Sequence, residues 1–266
     1  MKSAVYKKAG QVGIEVIKRP SIQEADDVII RVVRACVCGS DLWSYRNPDI
    51  KAGHKNSGHE AIGIVEETGE AITTVKPGDF VIVPFTHGCG ECDACRAGFD
   101  GSCDNHIGNN LGGNFQAEYL RFHYANWALV KIPGQPSDYT EGMLKSLLTL
   151  ADVMPTGYHA ALECVGTEAA VEQALGVLHN GGRMGFVGVP HYKNRALGST
   201  FMQNISVAGG AASATTYDKQ FLLKAVLDGD INPGRVFTSS YKLKDIDQAY
   251  KAMDERKTIK SMIVMD

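Results

Sequence analysis

The sequence predicts a mixed α/β fold, with a β-rich first half leading into a strand–helix–strand unit on a parallel sheet. Three observations carry this. Residues 28–33, 61–65, 80–83 and 117–120 are short β-branched or aromatic runs, separated by turn signals such as Lys76-Pro77-Gly78-Asp79 and Glu67-Thr68-Gly69. Near Pro136 the pattern changes, and apolar residues begin to recur at helical spacing. A strand at 162–165, a helix at 169–179 and a strand at 183–189 then follow in the order of a βαβ unit.

Several short strands at the first spacing suggest a barrel-like β domain. Residues 140–153 carry Met143, Leu147, Leu148 and Leu150 near helical period, with Ser137 and Asp138 as cap candidates. Val171, Leu175 and Leu178 share a face of the next helix, and Gly181-Gly182 turns the chain into the strand after it. A strand at 205–207, helices at 217–227 and 246–253 and a strand at 261–265 complete the chain. One junction lacks punctuation. Tyr158-His159-Ala160-Ala161 runs into Leu162-Glu163-Cys164-Val165 with no turn residue, where a helix handing over to a strand normally stops on Gly, Asn or Pro. Either the helix continues through Cys164 or two distant segments are joined here.

Composition narrows the class. Of 266 residues, 44% are hydrophobic and 21% charged, as in ordinary globular chains. Lys and Arg number 27 against 30 Asp and Glu, a formal charge of −3, and no basic run points to nucleic acid. No apolar run is long enough to cross a bilayer, and the first eight residues lack the apolar core of a signal peptide. The expected location is the cytosol, where seven cysteines, an odd number, point to metal or chemistry before disulfides.

Cys89, Cys92, Cys95 and Cys103 are spaced C-x2-C-x2-C-x7-C among Gly88, Gly90, Gly98 and Gly101. Two-residue gaps let thiolates converge on one ion, and the glycines permit the tight turns. Four thiolates with no open position describe a structural zinc site. An iron–sulfur cluster or a redox pair are the rival readings. No proline follows the last cysteine and no second cysteine cluster exists, which favours zinc.

Cys38-Gly39-Ser40-Asp41 and Gly58-His59-Glu60 form a second constellation. A cysteine and a histidine with carboxylates nearby suit a catalytic zinc that keeps one position open. Singly, each has a plainer explanation: a buried thiol, a satisfied imidazole, a solvated carboxylate.

Taken in order, Cys38-Gly39-Ser40-Asp41, Gly58-His59-Glu60, Lys76-Pro77-Gly78-Asp79-Phe80-Val81 and the four-cysteine lobe resemble the zinc-dependent medium-chain alcohol dehydrogenases. The resemblance is dense over residues 1–161 and thinner from 162 to 266. It implies a GroES-like catalytic domain (1–161 with 241–266) and a Rossmann-type nucleotide domain (162–240). It also implies two zinc ions. The structural one lies on Cys89, Cys92, Cys95 and Cys103, and the catalytic one on Cys38, His59 and a third residue in the helix before the nucleotide domain. Asp152 occupies that third position, as in the subgroup that uses aspartate there. Glu60 is the reserve ligand. Ser40 is the hydroxyl that passes a proton outward, and Asp41 hydrogen-bonds the free nitrogen of His59. The zinc would acidify a small alcohol, making its C–H a hydride donor. Trp43 stands where many relatives have a relay histidine, with His54 as a substitute. Trp43, Tyr45 and Phe85 are candidates for an apolar substrate wall, or for core.

The resemblance further implies NAD or NADP as hydride acceptor, bound on a G-x-G-x-x-G turn that leaves a strand and opens a helix. No such turn is found. Gly181-Gly182-Arg183-Met184-Gly185-Phe186-Val187-Gly188 leads into a strand instead, and Gly209-Gly210 runs into Ala211-Ala212-Ser213. Alignment with the family makes 158–161 the entry to the nucleotide domain and 162–166 its fourth strand. That leaves a first half of roughly 60 to 80 residues without a counterpart. Val165, Gly166, Gly188 and Val189 fall on the nicotinamide side, and Lys260 where a basic residue meets the pyrophosphate. Without the glycine turn, NAD(P) should bind weakly or not at all. Cofactor-independent zinc Lewis-acid catalysis (hydrolysis or addition) and a non-catalytic zinc scaffold are the alternatives. The strand at 204–208 implies a homo-oligomer, dimer or tetramer.

Overall fold

Period-two alternation of large apolar side chains builds a seven-stranded sheet with a core on each face. The structure is a computed structural model, and it describes residues 1–53, 58–105, 114–159, 166–186, 188, 201–209 and 216–265. The spine of the sheet is β3 (Val28–Cys36), nine residues long. One edge of β3 pairs with β4 (Ala61–Thr68). Its other edge is shared by β6 (Tyr119–Phe122) near its start and β11 (Lys260–Val264) near its end. Beyond β4 lie β5 (Phe80–Val83) and β7 (Val130–Ile132), and beyond β11 lies β10 (Phe237–Lys242), the one parallel neighbour. A hairpin of β1 (Lys2–Lys8) and β2 (Gln11–Val16) joins through a bridge from Ser3 to Ala117. The expected β-rich half is therefore present, and β1 and β2 add to the strands picked out in the sequence.

Helices α1 (Asp41–Arg46), α2 (Asp93–Arg96), α3 (Ala125–Ala128), α4 (Glu141–Thr149), α5 (Val153–His159), α6 (Glu168–Gly176), α7 (Thr216–Leu227) and α8 (Ile246–Asp254) connect or cover the strands. Ile62, Ile64, Phe80, Ile82, Val130 and Ile132 face Leu144, Leu147 and Leu148 of α4 and Leu222, Leu223 and Val226 of α7. The opposite face, with Val28, Ile30, Val32, Val81 and Val83, is closed by Tyr6, Leu42, Tyr45, Ala249 and Tyr250. The expected domain boundary at 241 falls inside β10, and α7, expected with the nucleotide part, packs on α4.

Residues 140–153, expected as one helix, break into α4 and α5. The amides of Leu150, Ala151 and Asp152 turn back to the third carbonyl before each, and the Thr149 hydroxyl bonds the Ser146 carbonyl. This tight turn ends α4, and Asp152 starts α5 by accepting from the Thr156 amide. Downstream, β8 (Arg183–Phe186) and β9 (Ser206–Gly209) form a two-stranded parallel sheet, and Thr167 caps α6. The strand expected at 162–165, and with it the unpunctuated junction, lies outside the described residues. Among the described residues, no helix is long and apolar enough to cross a membrane.

Candidate metal centres

In the lobe after β5, the thiols of Cys89, Cys92, Cys95 and Cys103 all lie within 4.8 Å of one another. Cys89 and Cys95 sulfurs are 4.0 Å apart, and those of Cys92 and Cys103 are 3.9 Å apart. A tetrahedron of Zn–S bonds has edges of about 3.8 Å, so the spacing suits zinc and is far too long for disulfides. The Gly88 position has no room for a side chain: a Cβ there would sit 2.3 Å from the Cys95 sulfur. Burial works against ionisation of Cys89, but the Glu91 and Cys92 amides outweigh it and bring its pKa to about 6. Burial and the sulfurs of Cys92 and Cys103 push Cys95 up to about 12. Four thiolates in this space need a cation to share.

The second site is made by strand register. β3 and β4 pair Ala35 with Ala61, so Cys38 just beyond β3 comes beside His59 and Glu60 just before β4. β11 brings Lys260 to the same end of the sheet, and the α4–α5 turn supplies Asp152. One donor atom from each of Cys38, His59, Glu60 and Asp152 lies within 4.8 Å of all the others. His59 Nε2 is 3.4 Å from Asp152 Oδ2, and the Cys38 sulfur is 3.7 Å from the same oxygen. The other ring nitrogen, Nδ1, faces Asp41 Oδ1 at 3.4 Å. Thr156 donates to Asp152 Oδ1 at 2.7 Å, which leaves Oδ2 facing the cluster. Ser40, exposed at the head of α1, makes no capping bond.

Burial would lower the His59 pKa, but Asp41 and Asp152 outweigh it and hold it well above the ordinary imidazole value. Burial would raise Asp152, and the His59 ring outweighs it in turn. Glu60 is raised by burial, with Lys260 opposing. Lys260 donates to Glu60 Oε1 at 2.7 Å, while Glu60 Oε2 is buried with no hydrogen-bond partner. An orphaned carboxylate oxygen beside a thiol, an imidazole and a second carboxylate fits a cation, and the donor set suits zinc.

Lys260 departs from expectation. Its ammonium is buried on Glu60 instead of reaching outward to a pyrophosphate. β11 is an interior strand of the sheet; burial disfavours the charge of Lys260, but Cys36, Glu60, Cys38 and Asp152 outweigh it and hold its pKa well above the ordinary lysine value. Tyr45 is core, stacked on Tyr250 with centroids 5.3 Å apart. Phe85 lies beside His59, at 6.2 Å between centroids, and Trp43 is partly exposed. Gly166 and Gly188 are buried, whereas Val165, Val189 and His54 lie outside the described residues. Thr156 and Gln116 escaped the sequence reading. Gln116 had one indirect signal, the glycine at 58 whose missing side chain makes room for it.

The profile of the alcohol dehydrogenase GroES-like domain matches residues 24–134. An uncharacterised zinc-type alcohol dehydrogenase-like protein of Bacillus subtilis is 36% identical over 173 residues, 59% of this chain and 44% of the relative. A glutathione-independent formaldehyde dehydrogenase of Pseudomonas aeruginosa is 33% identical over 178 residues, 60% of this chain and 44% of the relative. Among solved structures, an alcohol dehydrogenase from Thermus sp. ATN1 superposes with a TM-score of 0.82 at 21% identity, covering 100% of both chains. That of Aeropyrum pernix gives 0.79 at 19% identity, covering 99% of this chain and 100% of its own. The fold is that of the alcohol dehydrogenases, with a β-rich GroES-like domain. The chain is thus similar to the zinc-type medium-chain alcohol dehydrogenases, and it spans about half, or less, of the length of the curated relatives it matches.

Proposed function

We propose that Cys38, His59 and Asp152 hold a zinc ion at which small alcohols and carbonyl compounds are interconverted, and that the four-cysteine lobe holds a second, structural zinc. The convergence of four donor atoms from separate segments, one of them an orphaned carboxylate oxygen, carries this reading. Zinc in such a site supplies Lewis acidity, lowering the pKa of an alcohol or polarising a carbonyl. Asp41 accepts from His59 Nδ1 and so keeps Nε2 free for the metal. Thr156 turns Asp152 Oδ2 inward. Ser40 is exposed, as a group handing a proton to solvent must be, and Phe85 offers an apolar wall beside His59. Glu60 stands ready as a further ligand while Lys260 holds its other oxygen. The relatives named as formaldehyde dehydrogenases support small aldehydes or their alcohols as the substrate class.

The hydride acceptor of such chemistry is NAD or NADP, and in our reading its binding is weak or lost. The notional nucleotide domain, 162–240, shows one two-stranded parallel sheet among its described residues, and the glycine-rich turn is missing from its sequence. A cytosolic homo-oligomer paired near β9 belongs to the same reading. The missing glycine-rich turn favours one alternative, a zinc Lewis acid acting without nucleotide. Metal analysis with calorimetric titration of NAD(H) and NADP(H) tests these readings together. Two zincs per chain, falling to one in Cys38→Ala and in Asp152→Ala, are expected. Micromolar nucleotide binding with alcohol oxidation would restore a full dehydrogenase. Ester hydrolysis lost in both variants, without nucleotide binding, would favour the Lewis acid. One zinc in the wild type would sink the catalytic site.

A further inference from the structure

Behind Asp41 runs a buried chain of hydrogen bonds that zinc binding does not itself require. Gln116 is at its centre, fully buried in the bend before β6. Its Nε2 donates to the Cys36 carbonyl at 2.9 Å and reaches Asp41 Oδ2 at 3.5 Å. Its Oε1 accepts from the Tyr250 hydroxyl at 3.0 Å. The other Asp41 oxygen faces His59 Nδ1 at 3.4 Å. Tyr250 belongs to α8, is fully buried, and lies between the rings of Tyr6 and Tyr45. A continuous path therefore links a helix near residue 250 to the imidazole at residue 59.

The amide of Gln116 has one workable orientation. Exchanging its nitrogen and oxygen would set an acceptor against the Cys36 carbonyl and the Asp41 carboxylate. The space it fills exists because residue 58 is glycine. Gly58 has φ +74°, and a Cβ there would lie 2.6 Å from Gln116 Cγ. One residue thus both turns the chain into His59 and admits the side chain that braces it.

We infer that Gln116, oriented by Tyr250, is a positioning residue for the His59 ligand: it holds the carboxylate that holds the imidazole, and so ties α8 to the metal centre. The inference rests on Cys38, His59 and Asp152 being a metal site. A purely space-filling role would instead move stability without distinguishing one metal site from the other.

The test is a cobalt(II) titration of the metal-free full chain, against a competing chelator. One thiolate at the first site and four at the second give separable absorption. In Gln116→Leu, affinity at the Cys38 site should fall about ten-fold, as is usual when an outer partner of a ligand is lost, with an altered d–d spectrum. The four-cysteine site should be unchanged. Tyr250→Phe, which removes one oxygen, should weaken the same site about three-fold, by about 0.6 kcal/mol. The double variant should be no weaker than Gln116→Leu alone, because Tyr250 acts through Gln116. Unchanged affinity and spectrum at the Cys38 site overturn the inference, as does equal loss at both sites in step with the melting temperature. Should Gln116→Leu not fold, Tyr250→Phe decides by the same criteria. Wild-type cobalt uptake at the four-cysteine site alone would overturn the metal site as well as the brace.

Discussion

Away from the candidate metal sites, the buried carboxylate of Asp27 is stabilised by directed donors. Its Oδ2 accepts from the amides of Gln23 and Glu24, both at 2.8 Å, and from Arg121 at 2.6 Å, while Oδ1 meets His123 at 3.0 Å. Burial works against its charge, but Arg121 and the two amides outweigh it and lower its pKa. A depressed carboxylate stabilises the fold above its unfolded pKa, about 3.9, and that stability is lost as pH falls through the lower, folded value. Asp27→Asn should therefore cost about 2 kcal/mol at pH 7 and flatten the loss of stability below pH 4, where the two proteins converge in denaturant titrations. At position 58 the constraint is backbone. Gly58→Ala places a side chain at φ +74° and into Gln116, so a loss of about 1 to 3 kcal/mol is expected, with weaker metal binding at the Cys38 site alone. The clustering of the cysteine lobe and of the Cys38 and His59 motifs was legible because their donor side chains sit close in sequence or in motifs that recur in a fixed order. The pair of Lys260 with Glu60 was not. Its partners are 200 residues apart, and β11 lies two places from β4 across β3, an order no local pattern encodes.

Element boundaries followed local chemistry where that chemistry was simple. The short β-branched and aromatic run at 80–83 gave β5 directly, and in the fold Val81 and Val83 face one core and Phe80 and Ile82 the other. The helix expected over 140–153 failed at Thr149, whose hydroxyl competes for the Ser146 carbonyl and lets the chain tighten before Asp152. That break matters to function, because it puts Asp152 at a helix start, where its carboxylate can turn toward His59. The placing of α7 was also out of reach of periodicity, which shows that a helix has an apolar face but not what covers it. Here Leu222 and Val226 fill the core under α4, 2% and 1% exposed. Leu222→Ala should lower stability by about 3 kcal/mol in urea unfolding and speed hydrogen exchange along α7. The exposed neighbour Gln220→Ala should stay within about 0.5 kcal/mol. Equal, small effects at both positions would mean that α7 is not docked on the sheet.

Over the whole molecule, the sheet and the two candidate metal sites are held by different forces. Both faces of the sheet are closed by apolar side chains, and neither core includes a candidate metal ligand. The lobe is different: its buried cluster is the cysteines themselves, with Tyr124 packed against it. Removal of metal should thus leave the sheet folded and loosen the lobe. An ion that binds only the native state adds RT ln(1 + [L]/Kd), about 4 kcal/mol at a free concentration a thousand times Kd. For a chain of this size each kcal/mol shifts the midpoint by about 2 to 4 °C, so chelation should lower the melting temperature by about 10 °C per tightly held ion. The order of loss follows from geometry. The proposed Cys38 site has one sulfur donor against four in the lobe, so its ion should leave first to a chelator such as EDTA, with a small shift and no change in far-ultraviolet circular dichroism. The four-thiolate ion should leave later, with faster exchange confined to residues 89–105. Simultaneous loss of both ions with collapse of the β signal would show instead that the sheet depends on its metals, and that the two apolar cores are too small to hold it alone.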